Sequence, residues 1–190
     1  MKIGLFFGSF NPIHIGHLII ANVIYENTDC KEIWFVVSPQ NPLKKSSNLA
    51  HEFDRYDMVQ AAINEHFRFK VTDVEFNMPK PSYTIDTLTY LQEKNPKKEF
   101  QLIIGSDNLI QFNKWKNSKQ ILENFSLLVY DRPGSSSAGV DHPNIHKVEA
   151  PLLDISATFI RKQIQQSKSV KYLLPEPVVQ IIQNRGLYQS

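Results

Sequence analysis

The sequence predicts an α/β protein with an open, mostly parallel β-sheet and helices on both faces of that sheet. Short apolar runs typical of buried strands recur along the chain, and longer segments with helical periodicity separate them. Strands that alternate with helices form parallel sheets whose two faces are covered by those helices. The right-handed connections of such a sheet gather the loops that follow its strands along one edge. We therefore expect any binding site at that edge.

Length and composition limit the classes of partner. The 190 residues are enough for one well-buried domain, so we expect a single domain over residues 1–190. A net charge of +2 is too small to indicate a nucleic-acid surface, and no apolar segment is long enough to span a membrane. The single cysteine, Cys30, cannot form an internal disulfide, which fits a cytoplasmic setting. We expect no nucleic acid and no membrane among the partners, while a homo-oligomer is compatible with the sequence.

The first half of the chain shows the alternation of strands and helices. Two short apolar runs, residues 3–7 and 32–37, predict buried strands. The apolar run over residues 18–25 is too long for a typical strand and predicts a buried helix. Residues 53–63 follow a helical period. That period would place on one buried face Phe53, Tyr56, Val59, Ala62 and Ile63.

The second half continues the same alternation. Thr84 is the predicted N-cap of its first helix, and Asp86 suits the positive first turn. The predicted strands are residues 69–72, 99–104, 126–130 and 146–149, and the predicted helices are residues 82–93, 156–164 and 177–184.

A ten-residue stretch, Gly8-Ser9-Phe10-Asn11-Pro12-Ile13-His14-Ile15-Gly16-His17, lies between the first strand and the first helix. Free backbone N–H groups at a helix N-terminus attract anions, usually phosphate. His14 and His17 are three residues apart and would share one helix face. A single histidine is more often a surface or core residue than a functional one. Two at this spacing, directly after a strand and turn, favour a phosphate site.

A second stretch, residues 154–161, has the same character. Ser156 is the predicted N-cap of a helix that carries Arg161 and Lys162 in its opening turns. Cations oppose the helix dipole at that end unless an anion lies opposite them. A bound phosphate group would remove the conflict.

With both stretches in view, the chain resembles the H-x-G-H nucleotidyltransferase superfamily, and most closely the bacterial nicotinate (or nicotinamide) mononucleotide adenylyltransferases. The markers are Gly-Ser-Phe-Asn-Pro-x-His-x-Gly-His, Ser-Tyr-Thr-x-Asp-Thr from Ser82, and Ile-Ser-x-Thr-x-Ile-Arg from Ile155. The resemblance extends from Gly8 to about Tyr172. It implies a Rossmann-like fold and adenylyl transfer from ATP to nicotinate mononucleotide, with pyrophosphate as the second product.

On the ATP side, the resemblance implies that His14, His17 and Arg161 are catalytic. From residues alone, Asp107 either caps a short helix or binds a ribose hydroxyl, and the family's Gly-x-Asp favours the nucleotide. Lys44 lies in a proline-rich loop and by resemblance reaches the triphosphate. The implied ATP-binding residues are Gly8, Ser9, Phe10, His14, His17, Lys44, Asp107, Ser156, Thr158 and Arg161.

On the mononucleotide side, the resemblance implies that Tyr83 and Thr84 hold the pyridine ring and its carboxylate, although helix capping alone would also explain Thr84. Trp115 stands between two lysines and is predicted to be half-exposed, so it is either a platform for an aromatic ring or part of the core. Arg132 is either a surface turn residue or, by resemblance, a support for the mononucleotide.

The resemblance also bears on cofactors and on rival functions. Mg²⁺ is expected with ATP, held mostly by phosphate oxygens and water, because the sequence offers no carboxylate cluster for a protein cage. One rival is phosphopantetheine adenylyltransferase, which shares the Gly-Ser-Phe start but usually has threonine in place of His14. The other is a nucleotide sensor without turnover, against which both histidines and Arg161 argue.

Overall fold

The computed structural model of the protein describes residues 1–39 and 49–189. Its six strands are β1 (Lys2–Gly8), β2 (Glu32–Val37), β3 (Phe69–Thr72), β4 (Glu99–Gly105), β5 (Ser126–Tyr130) and β6 (Ile145–Val148). Its α-helices are α1 (Ile15–Asn27), α2 (Glu52–Ile63), α3 (Thr84–Lys94), α4 (Ser106–Ile110), α5 (Ser118–Asn124), α6 (Ala157–Gln165) and α7 (Glu176–Arg185).

The six strands form one sheet in the order β3-β2-β1-β4-β5-β6, and every neighbouring pair is parallel. The chain builds outward from β1 to β3 and then returns to build from β4 to β6. This reversal creates a switch point between β1 and β4, where open α/β sheets bind ligands at the carboxyl ends of their strands. The predicted fold is confirmed.

Helices cover both faces of the sheet because side chains alternate along its buried strands. Ile3 and Leu5 of β1 belong to the core on the side of α3 and α5, while Phe6 belongs to the opposite core. Ile24 of α1 and Met58 of α2 pack into that opposite core. No helix in the described ranges is long and apolar enough to cross a membrane.

The buried face of α2 differs from the one predicted. Phe53 is 57% exposed, while Arg55, Met58, Val59 and Ile63 are buried. These four follow the helical period as well as the predicted set does, but one of them is charged. Because the apolar pattern does not include Arg55, the predicted face is rotated toward Phe53. The hydrogen bonds that allow Arg55 to be buried are described below.

Candidate active site

An open cleft of about 330 Å³ lies at the carboxyl end of the sheet, and its walls come from the two halves of the fold. His14 and His17 contribute one wall, and Arg132, which follows β5, contributes another. Pro151 and Ile155, which precede α6, close a third side. The cleft therefore lies where the topology predicts a ligand.

The two histidines form a stacked pair at the start of α1. Their ring centroids lie 3.7 Å apart, with 27° between the planes. His14 is the N-cap residue, with extended backbone, and His17 is the third residue of the helix. They therefore meet by stacking across the helix start, not by sharing a face of a continuous helix as predicted. Gly16 makes room for this, because a Cβ atom there would lie 3.0 Å from Nδ1 of His14.

A backbone hydrogen bond fixes the protonation pattern of His17. The N–H of His14 donates to Nδ1 of His17 at 3.2 Å. Because Nδ1 accepts, a neutral His17 ring carries its proton on Nε2. That N–H is then available as a donor to a ligand.

Burial keeps both imidazoles neutral at pH 7. Burial, with a smaller contribution from the positive charge of Arg132, lowers the pKa of His14 to about 4. Burial also lowers the pKa of His17 well below its ordinary value, with His14 and Arg132 adding to the effect. The neutral rings lie beside the guanidinium of Arg132, so hydrogen-bond donors and a positive charge face the same cleft. Such a surface suits a polyanion.

Phe10 supports the histidine pair from inside the core. It is 2% exposed and adopts a positive φ of 45°, which is uncommon for a residue other than glycine. Its ring meets those of Phe6 and His17 edge to face. Gly8 leaves the necessary space, since a Cβ atom there would lie 2.8 Å from the Phe10 ring. Phe10 therefore orients His17 through packing.

The two predicted phosphate motifs meet in space. Nη1 of Arg161, on α6, donates to the backbone carbonyl of Asn11 at 2.7 Å across 150 residues of sequence, and Nη2 donates to Oγ1 of Thr158 at 3.3 Å. Ser156 caps α6 as predicted, because its hydroxyl accepts the N–H of Phe159. The serine and threonine of this motif are exposed, so they remain accessible to a ligand.

Asp107 and Arg132 form an ion pair between the loops that follow β4 and β5. Oδ2 of Asp107 lies 3.1 Å from Nη1 of Arg132. Gly105 allows this approach, since its Cβ would lie 2.5 Å from Asp107 and 2.6 Å from Arg132. Asp107 does not cap α4 through its side chain, and within the described chain its buried Oδ1 has no hydrogen-bond partner. That oxygen is a free acceptor for a hydroxyl group.

The residues predicted for the pyridine ring form a separate surface at the start of α3. Tyr83, not Thr84, is the N-cap residue, and Thr84 opens the helix. The hydroxyl of Thr84 is thus in the first turn and does not cap it. Lys116 connects this corner to the neighbourhood of Trp115: its ammonium lies 4.6 Å above the Tyr83 ring and 2.9 Å from Asp86.

Trp115 is half-buried, as predicted. Its ring packs against Phe112 with centroids 5.3 Å apart, so part of the indole belongs to the core. Among the described residues, its buried Nε1–H has no hydrogen-bond partner. A buried indole N–H usually finds an acceptor, which makes this donor a candidate contact for a ligand. Lys44 lies outside the described residues.

Sequence reasoning missed a buried carboxylate beneath the Tyr83 corner. Glu75, which lies between β3 and α3, is 2% exposed and accepts hydrogen bonds from the hydroxyls of Ser82 at 2.9 Å and Thr87 at 2.7 Å. Burial raises its pKa, against the effect of these hydrogen bonds. The two donors flank Tyr83 and Thr84 in sequence, so Glu75 fixes both ends of the corner. No periodic pattern surrounds Glu75 that could have shown this.

Sequence reasoning also missed the buried arginine of α2. Arg55 is fully buried and donates to the backbone carbonyls of Ser9, Ser38, Pro39 and Ala50. It thereby joins the loop after β1 to the chain that follows β2. The available signal was its spacing, since Arg55 precedes Val59 and Ile63 by one and two helical turns.

Comparisons with known proteins agree with the fold and the motifs. A family model described as cytidylyltransferase-like matches residues 5–163. A relative from Cytophaga hutchinsonii named "Probable nicotinate-nucleotide adenylyltransferase" is 57% identical over the full length of both chains. A Flavobacterium johnsoniae protein of the same name is 47% identical, again over all of both chains.

Solved structures support the fold. The nicotinic acid mononucleotide adenylyltransferase of Plasmodium falciparum, complexed with NaAD, matches with a TM-score of 0.83 at 21% identity, over 98% of this chain and 97% of that one. Because the family model spans most of the sequence and the relatives match it from end to end, the chain belongs to the nicotinate-nucleotide adenylyltransferase family of cytidylyltransferase-like proteins.

Proposed function

We propose that this protein transfers the adenylyl group of ATP to nicotinate mononucleotide, in a step of NAD biosynthesis. The phosphate of the mononucleotide attacks the α-phosphorus of ATP, a new P–O bond forms, and the bond to the β-phosphate breaks. The products are the deamido dinucleotide and pyrophosphate. The names of the full-length relatives support this choice of substrates, as does a structural neighbour complexed with NaAD.

One observation carries the proposal: the stacked histidine pair and the α6 arginine share the same loop. Arg161 is hydrogen-bonded to the carbonyl of Asn11, three residues before His14. The α6 arginine is therefore tied to the loop whose histidines line the cleft. A triphosphate has the charge and the length to engage all of them, and its negative charge would compensate the cations.

The geometry explains catalysis without a protein base. A phosphate monoester has a second pKa of about 6, so the nucleophile is already anionic at neutral pH. The protein must align the two phosphates and stabilise the negative charge that develops on the departing pyrophosphate. In this proposal Nε2–H of His17 and the ring of His14 donate to ATP phosphates. Arg161, with Ser156 and Thr158, holds the leaving group.

The substrate on the nucleotide side is the Mg²⁺ complex of ATP. Over residues 1–39 and 49–189, no group of three or more His, Cys, Asp or Glu side chains is placed to hold a metal ion. This donor set fits an ion that is carried by phosphate oxygens and water. Magnesium then supplies further neutralisation of charge on the phosphates.

The surface at the start of α3 is assigned to the nicotinate ring. Tyr83 and Thr84 present an aromatic ring and a hydroxyl at a helix N-terminus, which favours a carboxylate. Trp115 offers a half-buried indole face, and its N–H has no hydrogen-bond partner within residues 1–39 and 49–189. Arg132 lies beside the histidines in the cleft and is paired with Asp107. We assign Arg132 to the phosphate of the mononucleotide and Asp107 to a ribose hydroxyl.

The rival functions make different use of the same features. Phosphopantetheine has no aromatic ring, so an adenylyltransferase for it would leave the Tyr83 and Trp115 surfaces without a ligand. A nucleotide sensor would need ATP binding but not the charge-stabilising donors that face the cleft. We further propose that the protein acts in the cytoplasm, in line with its one buried and unpaired cysteine.

The test is a pyrophosphate-release assay with MgATP and a panel of acceptors: nicotinate mononucleotide, nicotinamide mononucleotide and phosphopantetheine. We expect turnover with the mononucleotides and a higher kcat/KM for the acid than for the amide. Turnover with phosphopantetheine alone would favour the first rival. ATP binding without pyrophosphate release from any acceptor would favour the sensor. A preference for the amide would contradict the assignment of the carboxylate to the start of α3.

A further inference from the structure

The C-terminal tail reaches the phosphate loop, here meaning residues 8–17. The hydroxyl of Tyr188 donates to Oδ1 of Asn11 at 2.7 Å, across 177 residues of sequence. The proposed activity gives the tail no role, and neither stretch that carries the family motifs includes it. We propose that Tyr188 is a positioning residue, which holds Asn11 so that the carbonyl of Asn11 can orient Arg161. This inference rests on the proposed function.

Asn11 connects three parts of the chain inside the phosphate loop. It is 6% exposed. Its side-chain Oδ1 accepts hydrogen bonds from Tyr188 and, at 3.1 Å, from the N–H of Ala50. Its backbone carbonyl accepts the bond from Arg161. The two side-chain bonds hold Asn11 at its place in the loop, so a backbone shift that followed their loss would move the carbonyl to which Arg161 is anchored.

The tail is built to deliver Tyr188 to this place. Helix α7 is fastened to α2 by Arg185, whose guanidinium lies 2.6 Å from Asp54 and 2.7 Å from Asp57. The chain turns back at Gly186, with a φ of 62°, and Tyr188 itself has a φ of 63°. A bulky residue rarely adopts this conformation and keeps it only where its surroundings fix it. The hydrogen bond from the Tyr188 hydroxyl to Asn11 helps to hold Tyr188 in this conformation.

Tyr188 remains a donor throughout the usable pH range. Burial raises the pKa of its phenol, and this effect exceeds the opposite influence of Arg55 and Arg161. Arg55 and Arg161 both act on the Tyr188 hydroxyl, so the tail lies close to the two arginines that contact the phosphate loop. Arg55, on α2, donates to the backbone carbonyl of Ser9 in the phosphate loop, and Arg161, on α6, donates to that of Asn11. Tyr188 completes a set of contacts that fixes the loop on three sides.

The test compares Tyr188→Phe with Tyr172→Phe. Each change removes one phenolic hydroxyl, but Tyr172 is 80% exposed and lies outside the cleft. We expect Tyr188→Phe to lower kcat by about tenfold through misalignment of Arg161, with KM for nicotinate mononucleotide within about twofold of wild type. Tyr172→Phe should match wild type. Equal kcat values for the two variants would overturn the proposal.

A double-mutant cycle distinguishes positioning from a general loss of stability. If Tyr188 acts through Arg161, then Tyr188→Phe should cost little further kcat in an Arg161→Lys background, because residues that act on one another are not additive. Full additivity would overturn the proposal. A wild-type protein without activity on any mononucleotide would instead reject the proposed function, whereas an active wild type with an unchanged kcat in Tyr188→Phe would reject only the positioning role.

Hydrogen exchange gives a readout that does not depend on turnover. In the protein without nucleotide, Tyr188→Phe should speed amide exchange in residues 8–17 and leave exchange in α3 unchanged. An equal rise in both segments would indicate general destabilisation and would overturn the positioning role.

Discussion

The two halves of the candidate site are built in opposite ways. On the phosphate side, the groups that would meet the triphosphate rest on buried support: His14 and Asn11 are nearly inaccessible, and Arg55 ties the loop to the chain behind it. On the pyridine side, Tyr83 and Lys116 are exposed, and the indole N–H of Trp115 has no partner in the part of the chain that the structure describes. The phosphate side is thus preorganised, while the pyridine side gains contacts when its ligand arrives.

This difference follows from what each half must do. Stabilising charge in a transition state requires donors that are already oriented, since reorganisation during the reaction would cost the free energy that catalysis needs. Recognising a flat ring requires area and a few polar contacts, which can form during binding. Changes on the phosphate side should therefore lower kcat, and changes on the pyridine side should raise KM for one substrate only.

The largest effect is expected from His17→Ala. Removal of an oriented donor to the leaving phosphates should lower kcat by about a hundredfold or more. Steady-state kinetics with saturating MgATP measures it, and His146→Ala is the control, since His146 is an exposed histidine on β6. Turnover close to wild type in a folded His17→Ala protein would contradict a preorganised phosphate side.

Acidic pH should lower the free energy of unfolding, because the buried histidines are held in their neutral form. The pKa of His14 falls from its ordinary 6.5 in the unfolded chain to about 4 in the fold. Between these values the unfolded chain binds the extra proton, so stability rises with pH through this window and is level above it. Protonation of His14 alone should lower the free energy of unfolding by about 2 kcal/mol from pH 7 to pH 5.

Urea unfolding at the two pH values measures this loss. His17 acts in the same direction, because its pKa is also lowered by burial. The variant His14→Gln should reduce the dependence on pH, and His146→Gln should leave it unchanged. A saturating triphosphate should also reduce it, because an anion favours the protonated rings. A free energy of unfolding that is the same at pH 5 and pH 7 would show that the histidines are not buried as neutral groups.

The sequence predicted the parts that depend on local pattern. Apolar runs located the strands, and the motifs that carry His14, His17 and Arg161 located two segments that meet in space. What it could not show depends on the fold. The burial of Arg55 was not predicted, because a buried charge is rare and depends here on four backbone carbonyls that the fold brings together. Tyr188 lies too far from Asn11 in sequence for any local pattern.

A smaller and more selective effect is expected from Trp115→Ala. Loss of an aromatic face against a pyridine ring should raise KM for nicotinate mononucleotide about fivefold and leave KM for ATP nearly unchanged. Trp115→Phe should restore most of the affinity because it keeps an aromatic face. A melting curve accounts for the part of the indole that packs on Phe112. If both KM values rose together, the indole would be a core residue and not a platform for the ring.

The smallest effect is expected from Glu75→Gln, which tests whether a buried carboxylate positions the pyridine side. Glu75 accepts hydrogen bonds from Ser82 and Thr87 beneath the exposed corner. Glu75→Gln keeps the size of the side chain but replaces one acceptor with a donor, so one hydroxyl must turn and the corner should shift slightly. We expect KM for nicotinate mononucleotide to rise about threefold, with KM for ATP and kcat unchanged.

The matched control is Glu123→Gln, because Glu123 is exposed on α5 and loses the same charge. Thr87→Val should produce a similar rise in KM, and the double variant should show less than the sum of the two effects, since both remove one hydrogen bond. An unchanged KM in Glu75→Gln would leave the pyridine side without a positioned corner. A fall in kcat instead would mean that Glu75 also supports the phosphate side, and the contrast between the two halves would then fail.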